Sequence, residues 1–450
     1  MTSQCANSCF LMWLTRGIAA IAIVSIVPST AGAELPPGNP VQQWNKIAED
    51  IVVGSGAFQN EGLIYMAYVS AAVYDAVVAL EEGYEPYGHP IASPPGASTD
   101  AAVIEAAYVT LRYYFPAHAS SLDASHDEAL ALIPDGPAKL KGLATGRTAA
   151  KEIIELRRHD GRLTPIAVSS GFPTKEPGPG VWRLTPPAFA APQTPWVGSV
   201  RPFVLRDIDQ FRPPAPPSLT SQRWVDDFNE VWVYGAITSG TRTAPQTAIA
   251  RFWTANVIRQ YNRLGRDLST TRALDLIQTA RLLAMIDVVG ADAQISVMHW
   301  KYEFLFWRPV TAIDPFAVTN DGFGPVPGFV DGNPATSEEV GWRPLVATPN
   351  HPEYPGAHGS ITSAIAEVLT VFFGTDQINV DIHGFDATGP AGNLNATRHF
   401  DTAAQLRTEI VNARAWAGFH YRGSSEAGVD LGREVAAYDL AHAFRPVQER

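Results

Sequence analysis

Five residues in the last third of the chain carry the charges and ring nitrogens that handling a tetrahedral oxyanion would need. Lys301 and Arg308 stand in the fragment 301–309 (KYEFLFWRP), His358 in 349–360 (PNHPEYPGAHGS), and Arg414 and His420 in 413–424 (ARAWAGFHYRGS). Three cations can neutralise phosphate or its analogue vanadate, and the planar fork of arginine matches such oxyanions. One histidine can serve as general acid or base, and the other can bond to phosphorus or a metal through a ring nitrogen. Singly, each fragment has a plainer reading: a solvated amphipathic face, an ordinary helix cap, a surface arginine beside a half-buried histidine. The combination is what suggests a site.

Local elements must position these groups. Seven residues of continuous helix turn ~700°, which would put Lys301 and Arg308 on one face about 10.5 Å apart. Pro309 makes Arg308 a helix terminus. Ile361, Ala364, Ile365, Val368, Leu369 and Phe372 form an apolar stripe at helical spacing, so Gly356, Ala357 and His358 fall at a helix N-terminus. Free N–H groups and the helix dipole favour an anion there, and Gly356 permits close backbone approach. Leu406, Ile410, Ala413 and Ala417 suggest a helix that carries Arg414 and ends near Gly418, with His420 just beyond.

The rest of the chain reads as helical. Residues 62–80, 101–115, 137–158, 221–233, 244–261 and 271–289 show apolar residues three and four apart, and the pattern continues from 292 towards 307. Residues 171–217 break it with 12 prolines and six large aromatics. Such proline density excludes helix and central strand, while aromatics are scarce in disorder, so an ordered strap over the helical body is expected. No strand pattern of comparable length and no internal repeat appears. The sum is an all-α, bundle-based chain with a Pro-rich strap, divided into a leader (1–33), an N-terminal helical region with the strap (34–220) and a site-bearing bundle (221–450).

Arg16, the apolar run 17–27 and Ala31-Gly32-Ala33 together read as a cleaved export signal. The run is shorter than the ~20 residues a membrane span needs, and no later apolar run is read as a span. A secreted or periplasmic protein follows, not integral to the membrane after cleavage. Cys5 and Cys9, the only cysteines, lie in the leader, so disulfides, thiolate metal sites and a cysteine nucleophile are excluded from the mature chain. Removing the leader's single Arg leaves 32 bases against 45 acids, a net charge of −13 with His neutral. That balance argues against a nucleic-acid partner.

In order, the fragments resemble the signature of the superfamily uniting vanadium-dependent haloperoxidases with type 2 phosphatidic acid phosphatases. That signature runs Lys, six residues, Arg-Pro; then Pro-Ser-Gly-His; then Ser-Arg, five residues, His, three residues, Asp. Lys301, Arg308 and Pro309, Pro355 and His358, and Arg414 and His420 match it. The resemblance implies paired helical bundles and a secreted oxidoreductase that oxidises halide with hydrogen peroxide, acting on a small organic acceptor. His420 would ligate vanadium, while Lys301, Arg308, Gly356, Ala357 and Arg414 would hold the oxyanion and His358 would move the proton. The alternative is a secreted acid phosphatase that acts on a phosphomonoester through a phosphohistidine at His420 and needs no metal. A second alternative is an inactive helical binding protein.

Departures from the signature bear on this choice. Gly356 replaces Ser, removing a hydroxyl donor, so Gly356→Ser is expected to raise activity if vanadate retention limits it. Ala357 replaces Gly and Ala413 replaces Ser. Ser424 replaces the phosphatase Asp, which weakens that reading unless Glu426 or another acid substitutes. His351 resembles bromoperoxidases, where it could tune proton transfer or halide preference; a loop histidine bonded to backbone is the plainer reading.

Overall fold

The computed structural model describes residues 34–447, except 93, 165–174, 176–177, 315, 318–330 and 385–395. The leader and the first part of the strap therefore lie outside the described residues. The five N-terminal helices are α1 (Pro40–Gly54), α2 (Gln59–Val78), α3 (Thr99–Tyr114), α4 (Ala119–Ala131) and α5 (Pro137–Leu156). After the strap come α6 (Gln222–Gly235), α7 (Ala244–Phe252), α8 (Val257–Thr271), α9 (Leu276–Phe304) and the short α10 (Pro309–Ile313). The chain closes with α11 (Ala357–Phe373), α12 (Ala403–Trp416) and α13 (Arg422–His442). Between α11 and α12, β1 (Val380–His383) and β2 (Thr397–Phe400) form an antiparallel hairpin with Val380 opposite Phe400, an element not anticipated from sequence.

Capping chemistry sets several boundaries. Reciprocal side-chain and backbone bonds join Asn39 with Gln42, Thr243 with Gln246, Asp275 with Gln278 and Thr402 with Gln405, starting α1, α7, α9 and α12. The single helix expected over 244–261 is two. Asn256 caps α8 by accepting from the backbone N–H groups of Ile258 and Arg259, and α7 stops at Phe252.

The axis of the fold is α9, a 29-residue helix packed against α2, α8, α11 and α13. The largest apolar cluster draws on both sides of residue 220, from Trp44 and Tyr68 through Ile286 and Val297 to Val435. By length and composition α2 and α9 could each cross a membrane, a property the sequence reading did not assign. Their most apolar windows are 89% and 94% buried against other helices, which accounts for that apolarity.

The described strap is ordered. Trp182, Trp196 and Phe203 are buried, and Asp292 in mid-α9 accepts from the backbone N–H groups of Phe203, Val204 and Leu205 at 2.6, 2.7 and 3.1 Å. A buried carboxylate inside an apolar helix is thereby satisfied by three donors. Backbone contact joins α11 to α13: a Cβ on Gly428 would stand 2.1 Å from Gly356 O, and one on Gly432 2.0 Å from Ser360 O.

Candidate functional site

All five sequence-selected side chains are buried, and they meet where three apolar clusters adjoin. Trp300 and Ala357 belong to the first cluster, Trp307, Tyr354 and Tyr421 to the second, and Phe419 to the third. Apolar walls strengthen every electrostatic interaction between them.

Lys301 and Arg308 do not share one helix. At Phe304 α9 ends, Leu305 takes a left-handed conformation (φ 51°), and Arg308 is the extended residue that opens α10. Pro309 disfavours α geometry at Arg308, and the reversal turns both side chains inward from different elements. Lys301 Nζ donates to Pro352 O (3.1 Å) and Glu353 O (2.7 Å). The Arg308 guanidinium donates to His351 O (3.0 Å) and Phe419 O (2.7 Å). Arg414, near the end of α12, donates through NH1 to Trp253 O (2.8 Å) and lies over the Phe419 ring at 4.2 Å.

His420 occupies the turn between α12 and α13. Its Nε2 is 3.3 Å from Arg308 NH1 and its Nδ1 is 2.7 Å from Glu353 Oε1. A guanidinium only donates, so Nε2 is the acceptor, and Nδ1 carries the proton that it donates to Glu353. Arg308 and the carboxylate together fix the tautomer, and the Nε2 lone pair would meet an electrophile in exchange for the long bond from Arg308. Glu353 Oε1 also accepts from Tyr421 N at 3.0 Å.

Glu353 is the residue that sequence reasoning did not select. It sits between His351 and Tyr354 in a proline-flanked fragment, and the available signal was an acid inside an otherwise uncharged, His-containing run. Glu426, the named substitute for the missing Asp, pairs with Arg223 at 2.7 Å instead. Ser424 Oγ donates to the Glu353 backbone carbonyl at 3.3 Å.

Gly356 caps α11, as the apolar stripe implied, but its own N–H donates to Ser424 O at 2.8 Å. The first-turn N–H groups of Ala357, His358 and Gly359 are those left for an anion. A Cβ on Gly356 would lie 2.9 Å from Ser425 Cα, so serine cannot be accommodated there without a backbone shift. That crowding sets a structural cost against the hydroxyl that Gly356→Ser would restore. His351 Nδ1 lies 3.1 Å from Arg308 NH2 and 3.0 Å from Pro352 O.

A cavity of about 440 Å³ opens onto this cluster, with His351, Ala357, His358, Arg414 and His420 in its wall and Phe58, Asn60 and Gln193 among its other lining residues. Lys301 and Arg308 stand behind that wall. Burial first, then neighbouring cations, holds Lys301 and Arg414 well below their usual values; burial brings Arg308 to about 10. His351, His358 and His420 are held well below the usual imidazole range by burial and then by the cations. Burial raises Glu353 to about 7 against the pull of Lys301 and Arg308. Three cations thus face one carboxylate of weakened acidity. His358 Nε2 and Arg414 Nε, both on wall residues, are buried with no hydrogen-bond partner. Uncompensated buried positive charge with unpartnered nitrogens fits an oxyanion such as vanadate or phosphate.

Residues 281–449 match the family model described as VCPO second helical-bundle domain. Among curated proteins, the vanadium chloroperoxidase of Curvularia inaequalis is 27% identical over 251 residues, 44% of this chain and 39% of that protein. The match therefore spans well under two thirds of the relative's length. Among solved structures, the first bacterial vanadium-dependent iodoperoxidase superposes with a TM-score of 0.72 at 23% identity, covering 93% of this chain and 100% of that one. A bacterial vanadium-dependent chloroperoxidase in its holo form gives 0.64 at 18% identity, covering 92% and 94%. At these identities the structural likeness concerns the fold.

Proposed function

We propose that this chain, which belongs to the superfamily uniting vanadium-dependent haloperoxidases with type 2 phosphatidic acid phosphatases, is a haloperoxidase-like oxidoreductase that oxidises halide with hydrogen peroxide. The observation that carries the reading is His420, whose Nε2 lone pair is presented beside buried cations while Glu353 holds the opposite nitrogen. The name of the curated relative supports the peroxidase side of the superfamily.

His420 would hold vanadate through Nε2, and Lys301, Arg308, Arg414 and the first-turn N–H groups of α11 would hold its oxygens. Vanadate, when bound, supplies a Lewis acid that activates hydrogen peroxide towards halide. The chain's own residues do the rest. Burial keeps His358 neutral near pH 7, so Nε2 can accept a proton from an incoming peroxide and return it to the departing oxygen. The cations draw electron density from the oxygens they hold, and Glu353 stabilises any positive charge that develops on His420.

One observation favours the phosphatase as a second reading. The carboxylate that orients a histidine nucleophile in such enzymes, absent at Ser424, has a counterpart in Glu353 at 2.7 Å from His420. The site accommodates both chemistries because vanadate rests near the trigonal-bipyramidal geometry that a phosphoryl group reaches only in transit.

The phosphate-free chain, assayed for peroxide-dependent bromination of a phenolic dye with and without orthovanadate, separates the readings. Vanadate-dependent bromination that is lost in His420→Ala is the expected result. No bromination with vanadate-inhibited phosphomonoester hydrolysis would establish the phosphatase, and neither activity would leave a binding protein. We further propose export, with cleavage after Ala33. Protein recovered outside the cytoplasm should begin at Glu34, and an intact Met1 N-terminus there would refute it.

A further inference from the structure

Gln294 lies on α9 seven residues before Lys301, two helical turns along the same face. Its side chain is 2% exposed, it lines the cavity, and its amide Nε2 has no hydrogen-bond partner. A buried N–H donor without an acceptor is costly, so its position against a cavity points to a ligand. The first turn of α11 stands beside it: Ser360 Oγ donates to Ala293 O at 3.3 Å, and His358 and Ile361 share the wall with Gln294.

The charge and polarity of the wall select the ligand. Among the described residues no carboxylate lines the cavity; its ionisable lining residues are Arg414 and three histidines. Hydrogen peroxide can also accept from this N–H, but its own two O–H groups would then need acceptors, which the unpartnered atom of Gln294 does not supply. A halide has charge, accepts from N–H groups and donates nothing. Its large polarisable surface also suits Met298, Ile361 and Phe419, which line the same cavity.

We propose that Gln294 is a specificity-determining residue whose Nε2–H donates to the halide substrate held beside the oxyanion site. The inference rests on the haloperoxidase reading. A carboxamide orients the halide without adding charge, while Arg414 supplies the attraction.

The test compares Gln294→Leu with the unaltered full chain loaded with vanadate. Loss of one neutral donor should raise the KM for bromide about five- to tenfold while kcat and the KM for hydrogen peroxide stay within about twofold. Thermal stability should be unchanged or higher, because an unpartnered buried donor has been removed. Independently, crystals soaked in bromide should show an anomalous peak within hydrogen-bond reach of Gln294 Nε2 that is absent from the variant. An unchanged bromide KM, or a raised KM for peroxide instead, would overturn the assignment. A bromide peak at Gln294 in a protein that oxidises no halide would sink the haloperoxidase reading and retain the anion subsite. No peak in an active enzyme would do the reverse.

Discussion

Replacing Glu353 by Gln asks whether this carboxylate sets the donor strength of His420. The amide keeps the side-chain length and one oxygen able to accept from His420 Nδ1 and Tyr421 N, and it removes the charge. The bond at issue is 2.7 Å long between side chains that are both almost wholly buried. A hydrogen bond to a charged acceptor contributes ~1.5–3 kcal/mol and a neutral one ~1 kcal/mol. The exchange should therefore cost about 0.5–2 kcal/mol in whatever His420 Nε2 holds, roughly a two- to thirtyfold loss of affinity. Removing a negative charge that faces Lys301 and Arg308 acts in the opposite direction, since it tightens the hold on any anion. Two ligands separate these effects. Phosphate, held by charge, should bind Glu353→Gln more tightly, while vanadate, held also through Nε2, should bind it more weakly. Calorimetric titration with each anion at pH 8, above the value of about 7 at which Glu353 titrates, makes the comparison. Glu353→Ala serves as the structural control: it leaves two buried donors unpaired, at ~1–3 kcal/mol each, and should lower stability in urea. Vanadate and phosphate affinities that move together in Glu353→Gln would refute the role assigned to the carboxylate.

Other perturbations test the scaffold. Gly428→Ala and Gly432→Ala place a methyl about 2 Å from a carbonyl oxygen of the α11 cap, Gly356, and of Ser360 in α11, and should each cost about 1–3 kcal/mol while weakening anion binding, because α11 must move; an unchanged melting temperature would contradict this. Gly356→Ser, crowded by Ser425, should lose a comparable amount, and a gain in vanadate affinity at unaltered stability would show that the backbone yields there. Burial raises Asp287 to about 7 even though Ser70 and Asn262 donate to it. Between about pH 4 and pH 7 the folded state holds a proton that the unfolded chain has released, so stability falls as pH rises through this window. The full loss is roughly 4 kcal/mol. Asp287→Asn should lack this component, and urea midpoints that run parallel to those of the unaltered protein from pH 4 to pH 8 would refute it.

How far this architecture could be read from sequence depended on whether the controlling interactions were local. The apolar spacing in 137–158 and 221–233 lies close to α5 and α6, because burial of one face sets both pattern and helix. The break at 253–256 was missed because apolar periodicity runs through it, and a single cap at Asn256 outweighs that continuity. The helical pattern read over 271–289 and onward from 292 towards 307 belongs to one helix, α9. Asp292 sits inside an unbroken helix because the strap, some ninety residues earlier, brings three N–H donors to it. Such a partner is invisible to any local window.

The site shows the same division, with a consequence for chemistry. Lys301, Arg308, His358, Arg414 and His420 were selected by type and spacing, and they converge, though Lys301 and Arg308 do so across a helix end and not along one face. Glu353 escaped because its role exists only once the 350 loop folds back on the α12–α13 turn. Without it, three buried cations would surround a histidine whose Nδ1–H had no charged acceptor. With it, Arg308 on one ring nitrogen and the carboxylate on the other leave His420 a single electron pair facing the positive cluster. A residue chosen for charge alone could have been placed anywhere in that cluster; an acceptor bonded to Nδ1 acts on the bond that Nε2 forms. The acid that the Ser424 position lacks is therefore supplied from another segment of chain, and a reading that stopped at residue 424 would have counted the histidine as unsupported.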